Sequence, residues 1–185
     1  MIVAPYEADA QLAYLVKEGI ANFAISEDSD LIAYGCNKLI MKLTFTGEGK
    51  LVDWDKFLGD KDAFAKDKNL SALQSFTREQ FIQACIMGGC EYLPSIQQVG
   101  LKVALRLFSK HSTVDEVVES LMNNKIFKDR VPENYLEALK RVQSLFFYQT
   151  VYDPRTKALT SLEQIPEAVS KTIEEDFLGD RSVIE

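Results

Sequence analysis

From Tyr6 to Lys17 the apolar residues Ala8, Leu12, Leu15 and Val16 recur at helical spacing, and Gly19 marks the stop. The next apolar runs, 23–26 and 39–43, are too short for helices and predict buried strands. Gly47-Glu48-Gly49 is a turn, with Leu51-Val52 as the returning strand of a hairpin. Met1-Ile2-Val3-Ala4 reads as a further strand, so the pattern alternates between strand and helix up to about residue 55. Residues 59–75 are polar and rich in Lys and Asp, as an exposed connection would be. The period then becomes helical throughout. Thr77 with Gln80 three residues on forms a capping box that opens a helix to about Met87. Further helices are predicted over 101–110, 114–122 and 133–148, the last after a helix-starting Pro132. Asp153-Pro154 breaks the pattern. Beyond it the periodicity is weak, with one short helix expected near 167–177.

Composition narrows the function classes. With 185 residues and 46% apolar content, the chain can bury one sizeable core, or one core with a helical annex. No apolar run is long enough to cross a bilayer, and the N-terminus lacks a signal-peptide pattern, so no membrane partner is expected. Cys36, Cys85 and Cys90 are not spaced as metal ligands and His111 is the sole histidine, which argues against zinc. They read as reduced thiols of a cytosolic or nuclear protein. The formal charge of −7 counts against a broad basic footprint for nucleic acid.

The candidate chemistry is acidic. Glu7-x-Asp9 and Asp28-x-Asp30 each follow an apolar stretch, and Glu91 stands in Gly89-Cys90-Glu91-Tyr92-Leu93. If the strand at 23–26 continues, Asp28 and Asp30 point to one side of it. Carboxylates forced together repel, a cost that a cation with a preference for hard oxygen ligands offsets. Taken singly each acid reads as a solvated helix cap; two pairs with a fifth acid favour a metal site. Other tempting residues read as structure: His111 as a helix-end residue, Phe146-Phe147-Tyr148 as helix packing, Trp54 as a core anchor.

Three blocks, APYEADAQLAYL, EDSDL followed by Gly35-Cys36, and GGCEYL running into SIQQVGLKVAL, carry a resemblance. Their order and spacing resemble the internal nuclease region of the structure-specific 5′ nucleases, the family of exonuclease 1, flap endonuclease and XPG, over roughly residues 1–155. Tyr6 with Ala8-Asp9-Ala10-Gln11 is similar to the exonuclease 1 branch. The resemblance implies an α/β fold, a partial mixed sheet flanked by helices (a PIN-like nuclease core), followed by an all-helical helix–two-turn–helix region. Residues 1–75 would belong to the core, 76–155 to the DNA-binding region, and 156–185 to a poorly defined extension.

It also implies 5′→3′ exonuclease and flap endonuclease chemistry in DNA repair in the nucleus, on duplexes with 5′ ends, nicks, gaps or flaps. Mismatch-repair proteins are the implied protein partners. Two Mg²⁺ ions, replaceable by Mn²⁺, would be held by Glu7, Asp9, Asp28, Asp30 and Glu91. Ser95 matches the hydroxyl that helps hold a K⁺ ion, Gly100 the tight-turn glycine, and Lys102 and Lys110 phosphate-contacting lysines. Two positions depart from the family pattern: Glu91 replaces an Asp, and Gln98 replaces a glycine. The family's N-terminal acids and basic residues have no counterpart, so the chain alone is expected to be inactive. A flap endonuclease proper and a non-catalytic DNA-binding remnant or divergent paralogue are the alternatives.

Overall fold

The computed structural model describes residues 1–60, 62, 71–167 and 178. The chain forms two compact units: residues 1–57 with 144–185, and residues 58–143. They differ in charge. Residues 58–143 carry 12 Lys and Arg against 11 Asp and Glu, whereas the remainder carries 9 against 17. The acidity that argued against nucleic acid therefore belongs to the first unit.

In the first unit, helix α1 (Ala8–Lys17) buries Ala10, Ala13, Tyr14 and Val16. It packs against strand β1 (Ala24–Ile25) and the short helix α2 (Asp30–Ala33), whose Leu31 and Ala33 are buried. β1 pairs in parallel with β2 (Lys38–Met41), and β2 pairs antiparallel with β3 (Lys50–Asp53). This is the expected mixed sheet with flanking helices. The Gly47 turn between β2 and β3 has φ +87, and Thr44 closes it by accepting the Gly47 N–H and donating its own to Glu48. Helix α3 (Trp54–Gly59) follows at once. Trp54 packs its ring against Phe57, but it is only half-buried and its helix buries no residue, so it is not the core anchor expected.

The second unit is helical. Thr77 accepts the Gln80 N–H while the Gln80 side chain accepts the Thr77 N–H, so the capping box forms and opens α4 (Arg78–Gly88). α5 (Leu101–Phe108) packs against α4, and α6 (Val114–Met122) buries Val114, Val117, Val118 and Leu121. α7 (Tyr135–Tyr148) ends in the first unit, where Phe146 is buried with its ring centroid 4.7 Å from that of Tyr34. The packing role read from Phe146 is therefore the one it has.

The chain then makes a hairpin of β4 (Thr150–Asp153) and β5 (Ala158–Ser161), and β4 packs on α1. The weak periodicity after Asp153 had concealed it. Two other expectations change. Residues 1–4 form no strand, and β1 ends at Ile25, before the acids. The helix expected near 167–177 and most of the connection at 61–70 lie outside the described residues.

Candidate functional site

The first unit places its four acids at the start of two helices. Glu7 is the N-cap residue of α1, extended at φ −81 and ψ 134, and its side chain makes no capping bond. Asp9 lies in the first turn, where the helix dipole favours negative charge. Two residues apart on a helix, Glu7 and Asp9 do not share a face.

Asp28 and Asp30 are not neighbours on a strand, which corrects the sequence reading. The chain turns after β1 through a short series of local bonds. The Asp28 N–H donates to Ser26 Oγ at 3.0 Å, and the Asp30 N–H donates to Asp28 Oδ1 at 2.9 Å. Ser and Asp side chains capture backbone N–H groups two residues on in this way, and they start turns by doing so. Asp30 then opens α2. Glu27 accepts the Lys42 N–H and ties this turn to the end of β2.

Both acids of this turn stand at the carboxyl end of β1, the end at which open α/β sheets bind ligands. Asp28 is exposed, Asp30 half-buried, and no described cation forms an ion pair with Glu7 or Asp28. The donor set, carboxylate oxygen alone, suits a hard divalent cation. The placement does not complete a site. Among the described residues no three His, Cys, Asp or Glu side chains gather closely enough to hold a metal ion.

In the second unit, Glu91 is exposed in a bend after α4, across which the Cys90 N–H donates to Leu93 O at 3.2 Å. The two glycines before it have structural reasons. A Cβ on Gly88 would stand 2.9 Å from Leu101 Cα, so glycine lets α4 approach the start of α5. Gly89 has φ +108, and a Cβ there would meet Ser95 Cβ at 3.2 Å. Ser95 is thus set beside the Gly89 backbone. Gly100 is the N-cap of α5 at φ −87, with no atom of the described residues within 4 Å of a Cβ position. Neither conformation nor packing calls for glycine there, so its bareness leaves the backbone approachable from outside. Lys102, in the first turn of α5, and Lys110, just past its end, are both exposed.

Gln98 is the residue whose role the sequence did not disclose. The Val99 N–H donates to Ile96 O at 2.7 Å, closing a turn whose third residue is Gln98, at φ +71. Glycine is the ordinary occupant of that position in such a turn. A side chain in this region costs about 1–2 kcal/mol. The Gln98 side chain is engaged: its Oε1 accepts from Arg130 Nη1 at 2.6 Å.

The first unit holds a second arrangement that sequence reading missed. Arg155, in the β4–β5 turn, donates from Nε and Nη2 to the Asp153 carboxylate at 3.0 and 3.1 Å. Nη2 also reaches Glu18 Oε2 at 2.7 Å and the Tyr14 hydroxyl at 3.3 Å, both on or next to α1. Arg155's side-chain bond, with its backbone N–H and the Tyr14 hydroxyl, holds the Asp153 carboxyl down at about 2. The Asp153-Pro154-Arg155 wording was a usable signal, since an acid and an arginine two apart around a proline suit a self-bonded turn.

Comparison with known proteins gives this geometry a family. Residues 1–91 match the family model of the XPG I-region. Over these residues the chain is similar to an XPG I-region, and the curated relatives it matches are nucleases of the exonuclease 1 and flap endonuclease kind. More particularly, the chain is 39% identical over 168 residues to exonuclease 1 of Xenopus laevis, covering 87% of this chain and 21% of the relative. It is 36% identical over 178 residues to flap endonuclease 1 of Aedes aegypti, covering 96% of this chain and 42% of the relative. The Holliday junction-resolving enzyme GEN1, solved with product DNA and Mg²⁺, shares the fold at a TM-score of 0.55 and 25% identity. That match covers 83% of this chain and 40% of GEN1. The chain thus spans about a fifth of the length of the exonuclease 1 relative.

Proposed function

We propose that this chain is part of a divalent-metal-dependent 5′→3′ exonuclease with 5′ flap activity. Its substrate is duplex DNA with 5′ ends, nicks, gaps or flaps, and it works in DNA repair in the nucleus. The observation that carries this is the XPG I-region match over residues 1–91, which contains Glu7, Asp9, Asp28, Asp30 and Glu91. The exonuclease 1 similarity supports the exonuclease reading, and the Mg²⁺ and DNA of the GEN1 structure support the metal and substrate.

The fit of the metal is partial, so the division of roles is limited to the chain's own groups. The carboxylates at the start of α1 and the end of β1, and by family resemblance Glu91, would supply oxygen ligands. The DNA phosphate and further oxygen donors would complete them, since Mg²⁺ commonly combines few carboxylates with substrate phosphate. Residues 76–155 are the duplex-binding region. There the Ser95 hydroxyl would help to hold K⁺, and Gly100, Lys102 and Lys110 face phosphate.

A second reading, a non-catalytic DNA-binding protein, is favoured by one observation: the described acids do not form a metal-holding group. The test is cleavage of a 5′-labelled, 5′-recessed duplex by this chain, in Mg²⁺, in Mn²⁺ and with chelator, beside Asp28→Ala/Asp30→Ala. Metal-dependent release of mononucleotides, lost in the variant, means that these acids suffice for catalysis. No cleavage, with metal binding that the variant abolishes, means that they are ligands awaiting further groups. Neither cleavage nor metal binding supports the non-catalytic reading.

A further inference from the structure

We propose that Gln98 and Arg130 together form a phosphate-binding element of the second unit, with Arg130 as the contact and Gln98 as the residue that positions it. The inference rests on the duplex-binding reading above and adds a contact that the family resemblance does not supply. Its starting point is an outlier. Gln98 keeps a left-handed backbone at φ +71 in a turn whose flanking residues, Ile96 and Val99, are both buried. A conformation of this kind persists only where the surroundings hold it, and it is found preferentially at binding sites.

Arg130 ends the short 3₁₀ turn Lys128–Arg130 and comes to Gln98 from 32 residues away in sequence. Its Nη1 donates to Gln98 Oε1 at 2.6 Å. No described carboxylate pairs with it. This matters because a neutral amide oxygen fixes the guanidinium plane without cancelling its charge, whereas a carboxylate would do both. The remaining N–H groups of the planar fork are left for an oxyanion, and Arg suits phosphate through such paired bonds.

Gln98 also belongs to the segment that leads directly into Gly100 and Lys102 at the start of α5. The unit's charge allows this, since its basic residues slightly outnumber its acids. Where a glycine would let the phosphate backbone come close to the turn, Gln98 instead places a cation there. The ligand is a backbone phosphate of duplex DNA, contacted without reading the base sequence.

The test is fluorescence anisotropy with a labelled blunt duplex, the full 185-residue chain and chelator, from about 50 to 200 mM KCl. Arg130→Ala is expected to weaken binding about five- to tenfold and to lower the log–log salt slope by about 1, the loss of one phosphate contact. Gln98→Gly is expected to weaken binding about two- to threefold, and to have no effect in the Arg130→Ala background, because Gln98 acts only through Arg130. Arg130→Lys keeps the charge without the fork and is expected to recover part of the affinity. A wild-type chain that binds, with Arg130→Ala equal to it in affinity and slope, overturns the inference and leaves duplex binding standing. Tighter binding by Gln98→Gly also overturns it, since Gln98 would then be obstructing the duplex. A wild-type chain that does not bind duplex at the lowest salt overturns the duplex-binding reading itself, and this inference with it.

Discussion

The side-chain amide of Gln11 pairs with the backbone of Tyr152 in both directions: Nε2 donates to Tyr152 O at 2.9 Å, and Oε1 accepts the Tyr152 N–H at 2.7 Å. In effect the side chain of α1 acts as one residue of an additional strand along β4. The two residues are 141 positions apart, and Gln11 is buried. Gln11→Ala removes both bonds and leaves a peptide group of β4 without its partner. The expected loss is about 2–3 kcal/mol of unfolding free energy, from two buried hydrogen bonds. Urea denaturation checks this, and a loss below about 0.5 kcal/mol would mean that β4 finds other partners.

Arg155 joins the same two elements by charge. The Asp153 carboxyl is held at about 2 by Arg155, below its ordinary 3.8. A depressed acid stabilises the fold above its unfolded value, and that stabilisation fades as pH falls from about 4 toward 2. Arg155→Met is therefore expected to lower the melting temperature at pH 7, and to differ progressively less from the wild type as the pH falls below about 4. A difference that stays constant down to pH 2 would assign the effect to packing of the long side chain instead.

How much of this was legible in the sequence depends on distance along the chain. The Thr77–Gln80 capping box and the Val114–Met122 helix formed as read, because their signals lie within a few residues of one another. β4 escaped because three of its four residues are buried, which leaves no alternation to detect, and because part of what holds it is a glutamine 141 residues away. The acids within the XPG I-region match were found from their wording, but their local geometry was not. β1 ends at Ile25, and Ser26 and Asp28 turn the chain by capturing N–H groups, a habit of these residues that the strand reading overlooked. Gln98 could be noticed only as a missing glycine. Its left-handed backbone and its bond to Arg130 are tertiary facts.

Tyr135 offers a stabilising substitution. Its hydroxyl is buried and has no hydrogen-bond partner among the described residues, and burial pushes the phenol up to about 12. Tyr135→Phe removes a polar group that lost its water on folding and gained nothing in return. The expected gain is about 1 kcal/mol, seen as a higher melting temperature. A fall in stability would show that the hydroxyl holds a bound water.

Gly88 tests the packing of the helix pair that carries the Glu91 bend. An added Cβ would stand 2.9 Å from Leu101 Cα and 3.0 Å from its backbone nitrogen, and the main chain there cannot turn aside as a flexible side chain could. Gly88→Ala is expected to destabilise by about 1–3 kcal/mol, as overpacking does, despite alanine's better helix propensity. An unchanged melting temperature would mean that α4 and α5 separate freely.

The central claim is that the acids of the first unit are ligands for a divalent cation and not merely turn formers. Titrating Mn²⁺ into the 185-residue chain and following the paramagnetic resonance signal of the free ion tests it directly, with Asp28→Ala/Asp30→Ala alongside. The account predicts that the wild type removes Mn²⁺ signal and that the variant binds at least about tenfold more weakly, the loss of two charged ligands. Equal signal in the two proteins, bound or unbound, would contradict it.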